Sequence, residues 1–315
     1  MTPEDKMDMN SSRCPFLTQD SGDVLSCSNI SHYTVTFLSC LYTMNTMLGL
    51  TLNILVLWAI WPEVKRSHGL PTYVISLLCA ALLECLTLPF GVAYLSDSLE
   101  VGSLGCHVLS LMPKIAQRTA TTFVMWIFVL RYVAVTHPLK YATFCSGRVC
   151  ASVSISLWLT VTAISVTEQA LAIDNSNICF PGYRIILEWA LIDLILSVLF
   201  SHVPLIHLCT CGYLISCTLK NSPSVPRKQH KRISRLLFLA VVMFGILFCP
   251  MHIVLEYQSI LVLLGQSIWQ AKQTFIFHYH LMFALNSLSV VIVPFFYVFS
   301  SSAIKKRLKG LFKHR

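Results

Sequence analysis

Residues 34–61 read TVTFLSCLYTMNTMLGLTLNILVLWAIW, 28 positions without one Asp, Glu, Lys or Arg. A helix crosses the hydrocarbon core of a bilayer in about 20 apolar residues, so this run is long enough to span it. Outward from Thr34–Trp61, six more runs are long and mostly apolar: Leu70–Tyr94, Ser103–Val135, Val149–Ile173, Ile185–Leu219, Ile233–Leu263 and Phe275–Phe299. Of the 315 residues, 55% are hydrophobic and 12% are charged. Soluble domains carry about 25% charged residues, so a soluble fold is excluded. The expected fold is an all-α membrane protein, a seven-transmembrane helix bundle over residues 34–300. An extracellular arm, 1–33, precedes it, and a short amphipathic cytoplasmic helix and tail, 301–315, follow.

The loop charges are sorted by side. Lys65 and Arg66 follow the first run, and Lys140 and Arg148 follow the third. Lys220, Arg227, Lys228, Lys231, Arg232 and Arg235 follow the fifth, and Lys305, Lys306, Arg307, Lys309, Lys313 and Arg315 follow the seventh. Glu63 is the one acid on that side, whereas Glu4, Asp5, Asp8, Asp20, Asp23, Asp97, Glu100 and Asp174 lie opposite. Excess Lys and Arg mark the cytoplasmic face, which puts the amino terminus outside, as expected of a multi-pass plasma-membrane protein. The net charge of +9 therefore faces inner-leaflet lipids and does not imply nucleic acid. The first residues lack a basic start and an apolar core, so the first span is expected to act as an uncleaved anchor. Asn10-Ser11-Ser12 and Asn29-Ile30-Ser31 match the glycosylation pattern, and both fall on the outer side.

Most of the 13 cysteines lie within spans, where thiols serve as small apolar packing groups. Cys14, Cys27, Cys106 and Cys179 lie on the oxidising side. Four cysteines allow three pairings. Position favours Cys106 with Cys179, pinning the loop before span five over the bundle, and Cys14 with Cys27.

Several motifs occur in order across the spans. Gly49-Leu50-Thr51-Leu52-Asn53 lies in span one and Leu86-Thr87-Leu88-Pro89-Phe90 ends span two. Span three begins at Cys106 and ends in Leu130-Arg131-Tyr132, then Ala134 to Tyr141. Trp158 and Pro204 mark spans four and five. Span six holds Phe244-Gly245-Ile246-Leu247-Phe248-Cys249-Pro250-Met251-His252, and span seven holds Val293-Pro294-Phe295-Phe296-Tyr297. The chain resembles a class A (rhodopsin-like) G-protein-coupled receptor over nearly its whole length, with likeness to the nucleotide- and lipid-receptor branch. The resemblance implies that Arg131, supported by Tyr132, meets a heterotrimeric G protein. It also implies that Phe244, Phe248, Pro250, Pro294 and Tyr297 relay activation, and that Ile304–Phe312 is the family's interfacial helix. Pro89, Pro204, Pro250 and Pro294 each remove a helical hydrogen bond and allow a kink.

Four positions depart from the family pattern. Ala81 replaces the sodium-binding Asp, Leu130 the acid before the arginine, and Val293 the Asn before the span-seven proline. Gly212 stands where a tyrosine is usual, with Tyr213 next to it. The losses imply weak sodium sensitivity and an altered, raised basal activity.

Ionisable groups in the outer half of a bundle mark a ligand site. Lys114, Gln117 and Arg118 lie on span three, the two cations one turn apart on one face. They read two ways: as a clamp for a carboxylate or phosphate, or as members of an internal network with Glu168 and Asp193, since buried charges must pair. His252 and Glu256 are similarly spaced on span six. Glu84 and Glu188 are further acids. Pro113 stands where amine receptors carry Asp, which argues against a biogenic amine. An extracellular lipid acid, small carboxylate or nucleotide fits the clamp. His32, His107, His278 and His280 suggest a second reading as a proton sensor. A transporter reading lacks internal repeats and an even span count, and a non-signalling decoy or chaperone shares the four departures. Neither a nucleophile–base motif nor a metal-ligand cluster appears, so no enzyme, cofactor or metal is expected.

Overall fold

The structure is a computed structural model, which describes residues 32–66, 69–95, 103–171, 187–221, 227–265 and 268–300 together with Ile304, Lys305, Arg307 and Gly310. Asn10, Asn29, Cys14, Cys27 and Cys179 lie outside these residues, as does the side chain of Cys106. The helices run α1 (His32–Arg66), α2 (Gly69–Leu95), α3 (Ser103–Thr136), α4 (Pro138–Phe144), α5 (Gly147–Leu171), α6 (Leu187–Asn221), α7 (Arg227–Leu247), α8 (Cys249–Leu263), α9 (Ile268–Ser287) and α10 (Ser289–Ser300). Seven spans in them are long and apolar enough to cross a membrane. Span six is α7 plus α8 and span seven is α9 plus α10; α4 is a short helix in the loop after span three.

Lipid is as apolar as leucine, so packing area and internal hydrogen bonds, rather than exclusion of water, hold such helices together. The chain meets both needs. Ala59, Ala80, Ala81, Ala116 and Ala120 are buried, and small side chains let backbones approach. At Gly49 a Cβ would sit 2.6 Å from Cys85 Sγ and 2.7 Å from Val290 Cγ2, so α1, α2 and α10 meet at a glycine. Large apolar groups such as Phe37, Met47, Ile54, Trp58 and Trp61 point outward, as a lipid-facing surface requires. Thr43, Thr46, Thr51, Thr122 and Thr136 return their hydroxyls to the carbonyl four residues back, satisfying donors that lipid cannot.

The breaks fall near prolines. Span six is interrupted at Phe248, two residues before Pro250, and Phe248 N–H still reaches Phe244 O at 3.0 Å. Span seven is interrupted at Leu288. Pro294 has no N–H for the carbonyl of Val290. Asn53 Nδ2 donates to that carbonyl at 2.7 Å and to Gly49 O at 2.8 Å, joining span one to the kink of span seven.

Three large apolar clusters lie among the described residues. One lies at the end that carries the basic loops, around Val56, Tyr73, Leu77, Phe123, Ile127 and Leu130, with Trp158 against Phe123 at 6.3 Å between centroids. A second at the same end joins α3, α6 and α7 around Phe128, Leu208, Ile215 and Phe244. The third, at the opposite end, packs Leu38, Tyr42, Leu88, Tyr279 and Phe283. Ile304 is buried in the first cluster, while Arg307 donates to Ala59 O at 3.1 Å and lies 5.7 Å over the Trp58 ring. The segment after span seven is thereby tied to the basic end of α1.

Candidate functional site

Lys114 and Arg118 project from the same face of α3 toward α5, and one carboxylate serves both. Glu168 Oε1 lies 2.8 Å from Lys114 Nζ, and Oε2 pairs with the Arg118 guanidinium. Ser165, one turn before Glu168, accepts from Arg118 at 3.2 Å, and Gln169 accepts from Lys114 at 3.4 Å. The Arg118 guanidinium lies 5.0 Å over the Phe200 ring of α6, a cation–π contact. Asp193 is within electrostatic reach of all three charges. Of the two readings of this cation pair, the internal one is realised at Glu168. An incoming anion would have to compete with that carboxylate.

Gln117 turns the other way, toward α2, its Nε2 3.5 Å from Oε1 of the buried Glu84. His252 and Glu256 join α8 to α6 and make no direct bond to the two cations. Ser197 Oγ meets His252 Nδ1 at 3.1 Å and donates to His252 O at 3.2 Å. Ser201 Oγ donates to Glu256 Oε1 at 3.4 Å, and His202 Nδ1 lies 3.2 Å from the same oxygen. Sequence reading passed over Ser165, Ser197, Ser201, His202 and Phe200, because hydroxyls and rings on apolar helices carry no signal of their own.

The histidines expected near the outer face separate. His107 contacts Gln169 at 3.3 Å and His278 is exposed. His280 is enclosed instead: it is 2% exposed, and its carbonyl accepts the Tyr42 hydroxyl at 3.2 Å. Among the described residues no three of His, Cys, Asp and Glu are grouped for a metal ion.

At the basic end a cavity of about 270 Å³ opens among α2, α3, α7 and α10, with Arg131 on its wall. Phe244, Phe248, Val293 and Tyr297 also line it, and the two phenylalanine rings stack with centroids 4.9 Å apart. Tyr132 packs in the cluster of α6 and α7. Leu130 is buried in the first cluster. Among the described residues no carboxylate pairs with Arg131. Tyr141 of the adjoining α4 is half-buried, and a Cβ on Gly69 would lie 2.8 Å from its hydroxyl, so a side chain at the start of α2 would have to displace that ring.

The profile of the family described as 7 transmembrane receptor (rhodopsin family) matches residues 52–297. The chain is 25% identical to human G-protein coupled receptor 65 over 287 residues, covering 86% of this chain and 84% of that one. It is 26% identical to human G-protein coupled receptor 68 over 306 residues, 94% and 81% of the two chains. It is 24% identical to lysophosphatidic acid receptor 6 of Gallus gallus over 252 residues, 75% and 80%.

Proposed function

Since the chain belongs to the rhodopsin family of seven-transmembrane receptors and is a multi-pass G-protein-coupled receptor, we propose that it receives an extracellular anionic lipid at the plasma membrane. The observation that carries this reading is the cation pair: Lys114 and Arg118 stand one turn apart on one face of α3 and share a single carboxylate, Glu168. A phosphate or carboxylate head displaces Glu168 and takes two cations one turn apart, Arg118 in bidentate fashion. His252 and Glu256 lie on the adjoining α6–α8 seam, and Gln117 faces Glu84 of α2. The similarity to a receptor named for lysophosphatidic acid, an anionic phospholipid, points to the same chemical class.

The signal then follows bonds between elements. Arg118 stacks on Phe200 of α6, and α6 holds α8 through Ser197 and Ser201. Displacement of Glu168 shifts that seam, and the break at Phe248 and Pro250 lets α7 swing at the basic end. Phe244, Phe248, Pro250, Pro294 and Tyr297 carry the change, and a G-protein helix meets Arg131 and Tyr132. The ligand acts by population shift between two packings. In this reading the amino terminus is outside, Asn10 and Asn29 carry glycans, and Cys106 and Cys179 are bridged.

The test is a panel of anionic lipids applied to the full-length receptor with G protein, read as G-protein dissociation. Lys114→Ala and Arg118→Ala each remove a charged hydrogen bond worth about 1.5–3 kcal/mol, so potency should fall roughly ten- to 150-fold. A lipid agonist whose potency survives both substitutions overturns the clamp. Glycosidase treatment that leaves the wild-type chain unshifted on a gel overturns the glycan assignment.

A further inference from the structure

Two thiols meet at the basic end, in the corner where α4 hands over to α5. α4 closes at Cys145, whose N–H returns to Tyr141 O at 2.9 Å. Ser146 follows, and Cys150 N–H reaches Ser146 O at 2.9 Å, one turn into α5. Cys145 therefore stands just before the residue that opens α5, and Cys150 stands one turn after it. Side chains at those two positions close on each other across the first turn, as in a hydrophobic staple. The two thiols lie within hydrogen-bonding reach of each other, and both pack in the first apolar cluster.

Their surroundings differ. Cys150 is fully buried, and its thiol reaches the hydroxyl of Tyr73, whose ring lies 6.2 Å from that of Trp126 between centroids. Cys145 is half-buried, and its thiol reaches the Tyr141 hydroxyl. The start of α2 covers it, since a Cβ on Gly69 would lie 3.2 Å from Cys145 Sγ. One thiol thus belongs to the core and the other to the loop helix. Thiols on a cytoplasmic face are kept reduced, and bridges that form there are transient and redox-sensing.

We propose that Cys145 and Cys150 form a dithiol redox site, oxidised by a hydroperoxide to an intramolecular disulfide that clamps α4 to α5. Cys145, the more exposed, attacks the peroxide as the thiolate. An S–O bond forms, the O–O bond breaks, and the departing hydroxide takes up a proton and leaves as water. Cys150 then attacks that sulfenic sulfur, an S–S bond forms, the S–O bond breaks, and a second water leaves. Each sulfur gives up one electron, and the peroxide takes both. Burial holds the Cys145 thiol above its ordinary range. The thiolate is the nucleophile, so oxidation is slow at neutral pH and quickens as pH rises. Tyr141 and Arg131 line the same small cavity, so the bridge holds α4 and that tyrosine in the resting arrangement beside Arg131. A loop helix that cannot yield to a G protein lowers coupling. The bridge does not depend on the outer lipid reading; its effect on coupling rests on Arg131 being the G-protein contact.

The test uses the reduced full-length receptor in nanodiscs, treated with hydrogen peroxide, freed of it, and then given reduced G protein. After free thiols are alkylated, trypsin cuts at Arg148, between the two cysteines, and mass spectrometry finds the flanking peptides joined where the bridge has formed. The wild type should show the bridge, and it should form faster as pH rises. Basal nucleotide exchange should fall about fivefold and recover with dithiothreitol. Cys145→Ser should form no bridge and keep its exchange under peroxide. In Cys150→Ala, dimedone should trap Cys145 as the sulfenic acid. Both thiols staying reduced at every pH where the receptor is folded, while a free cysteine peptide in the same tube is oxidised, overturns the proposal. So does a wild type in which dimedone traps Cys145 and Cys150 remains a free thiol. A bridge without a change in exchange, or a fall in exchange that persists in Cys145→Ser, overturns the regulatory role alone.

Discussion

Substituting Glu168 by Gln should leave two cations facing each other across one helical turn. The Glu168 side chain is 7% exposed, and those of Lys114 and Arg118 are 19% and 12% exposed. Removing one partner of a buried ion pair costs about 3–5 kcal/mol, because the remaining charge is uncompensated. Partial exposure of the cations and the nearby Asp193 place the loss at the lower end, about 3 kcal/mol. At 2–4 °C per kcal/mol for chains somewhat shorter than this one, the unfolding midpoint should fall by roughly 6–12 °C. A thiol-reactive dye can follow it, since Cys85, Cys150 and Cys211 are buried and become reactive on unfolding. Replacing all three charges with Glu168→Leu, Lys114→Met and Arg118→Met should recover most of the loss, because apolar substitution of a buried ionic group is often neutral or better. The same Glu168→Gln variant should bind an anionic lipid more tightly than wild type, since no carboxylate has to be displaced. A midpoint within about 2 °C of wild type, together with a triple variant less stable than the single one, would refute the argument that Glu168 neutralises both cations.

Two further outcomes test the frame around the site. Asn53→Ala should cost about 1–3 kcal/mol by stranding the Val290 carbonyl. In the Pro294→Ala background, where the substituted residue supplies the missing helical N–H, most of that penalty should vanish; equal penalties in both backgrounds would show that Asn53 acts elsewhere. Exchanging sodium for choline at constant ionic strength should leave the wild-type unfolding midpoint unchanged, because a group that does not bind the folded state cannot stabilise it. Ala81 is buried and Val293 lines a hydrocarbon wall. A sodium-dependent rise in wild type would mean that another carboxylate holds the ion.

The spans were legible because hydropathy is a property of a window, and lipid leaves the backbone little choice but helix. The expected run Ser103–Val135 and the helix Ser103–Thr136 differ by a residue. Kinks were expected at Pro250 and Pro294, and spans six and seven divide ahead of them, at Phe248 and Leu288. Proline announces a lost hydrogen bond but not where the chain relaxes. The partner of the cations was harder to find. Lys114 and Glu168 are 54 positions apart, and charge counting admits Glu84, Glu188, Asp193 and Glu168 alike. Helix azimuth decides among them: Glu84 falls to Gln117, while Glu168 takes both cations. Likewise the span-one signature gave no hint that Asn53 would serve the carbonyl that Pro294 abandons.

The four departures from the family pattern form one physical change rather than four losses. Ala81, Leu130 and Val293 each put hydrocarbon where the pattern has a polar or acidic group. Leu130 and Ala81 are 4% exposed, in the packed interior. A polar network at that depth would hold the resting packing through directional bonds, each costly to leave unmade. In this chain the resting contacts at the basic end are dispersion contacts among Phe128, Leu237, Phe244 and Leu247, which tolerate sliding. The opposite half carries charged directional bonds, in the Lys114–Glu168–Arg118 triad and the Ser197–His252 and Ser201–Glu256 seam. On the proposed ligand reading, the switch that biases α7 is the outer triad, and the basic end follows it. A receptor built this way should show raised basal coupling, and basal output should rise further when the triad is cut at Glu168. Basal output of that variant equal to vector control, with surface expression preserved, would place the restraint at the basic end after all.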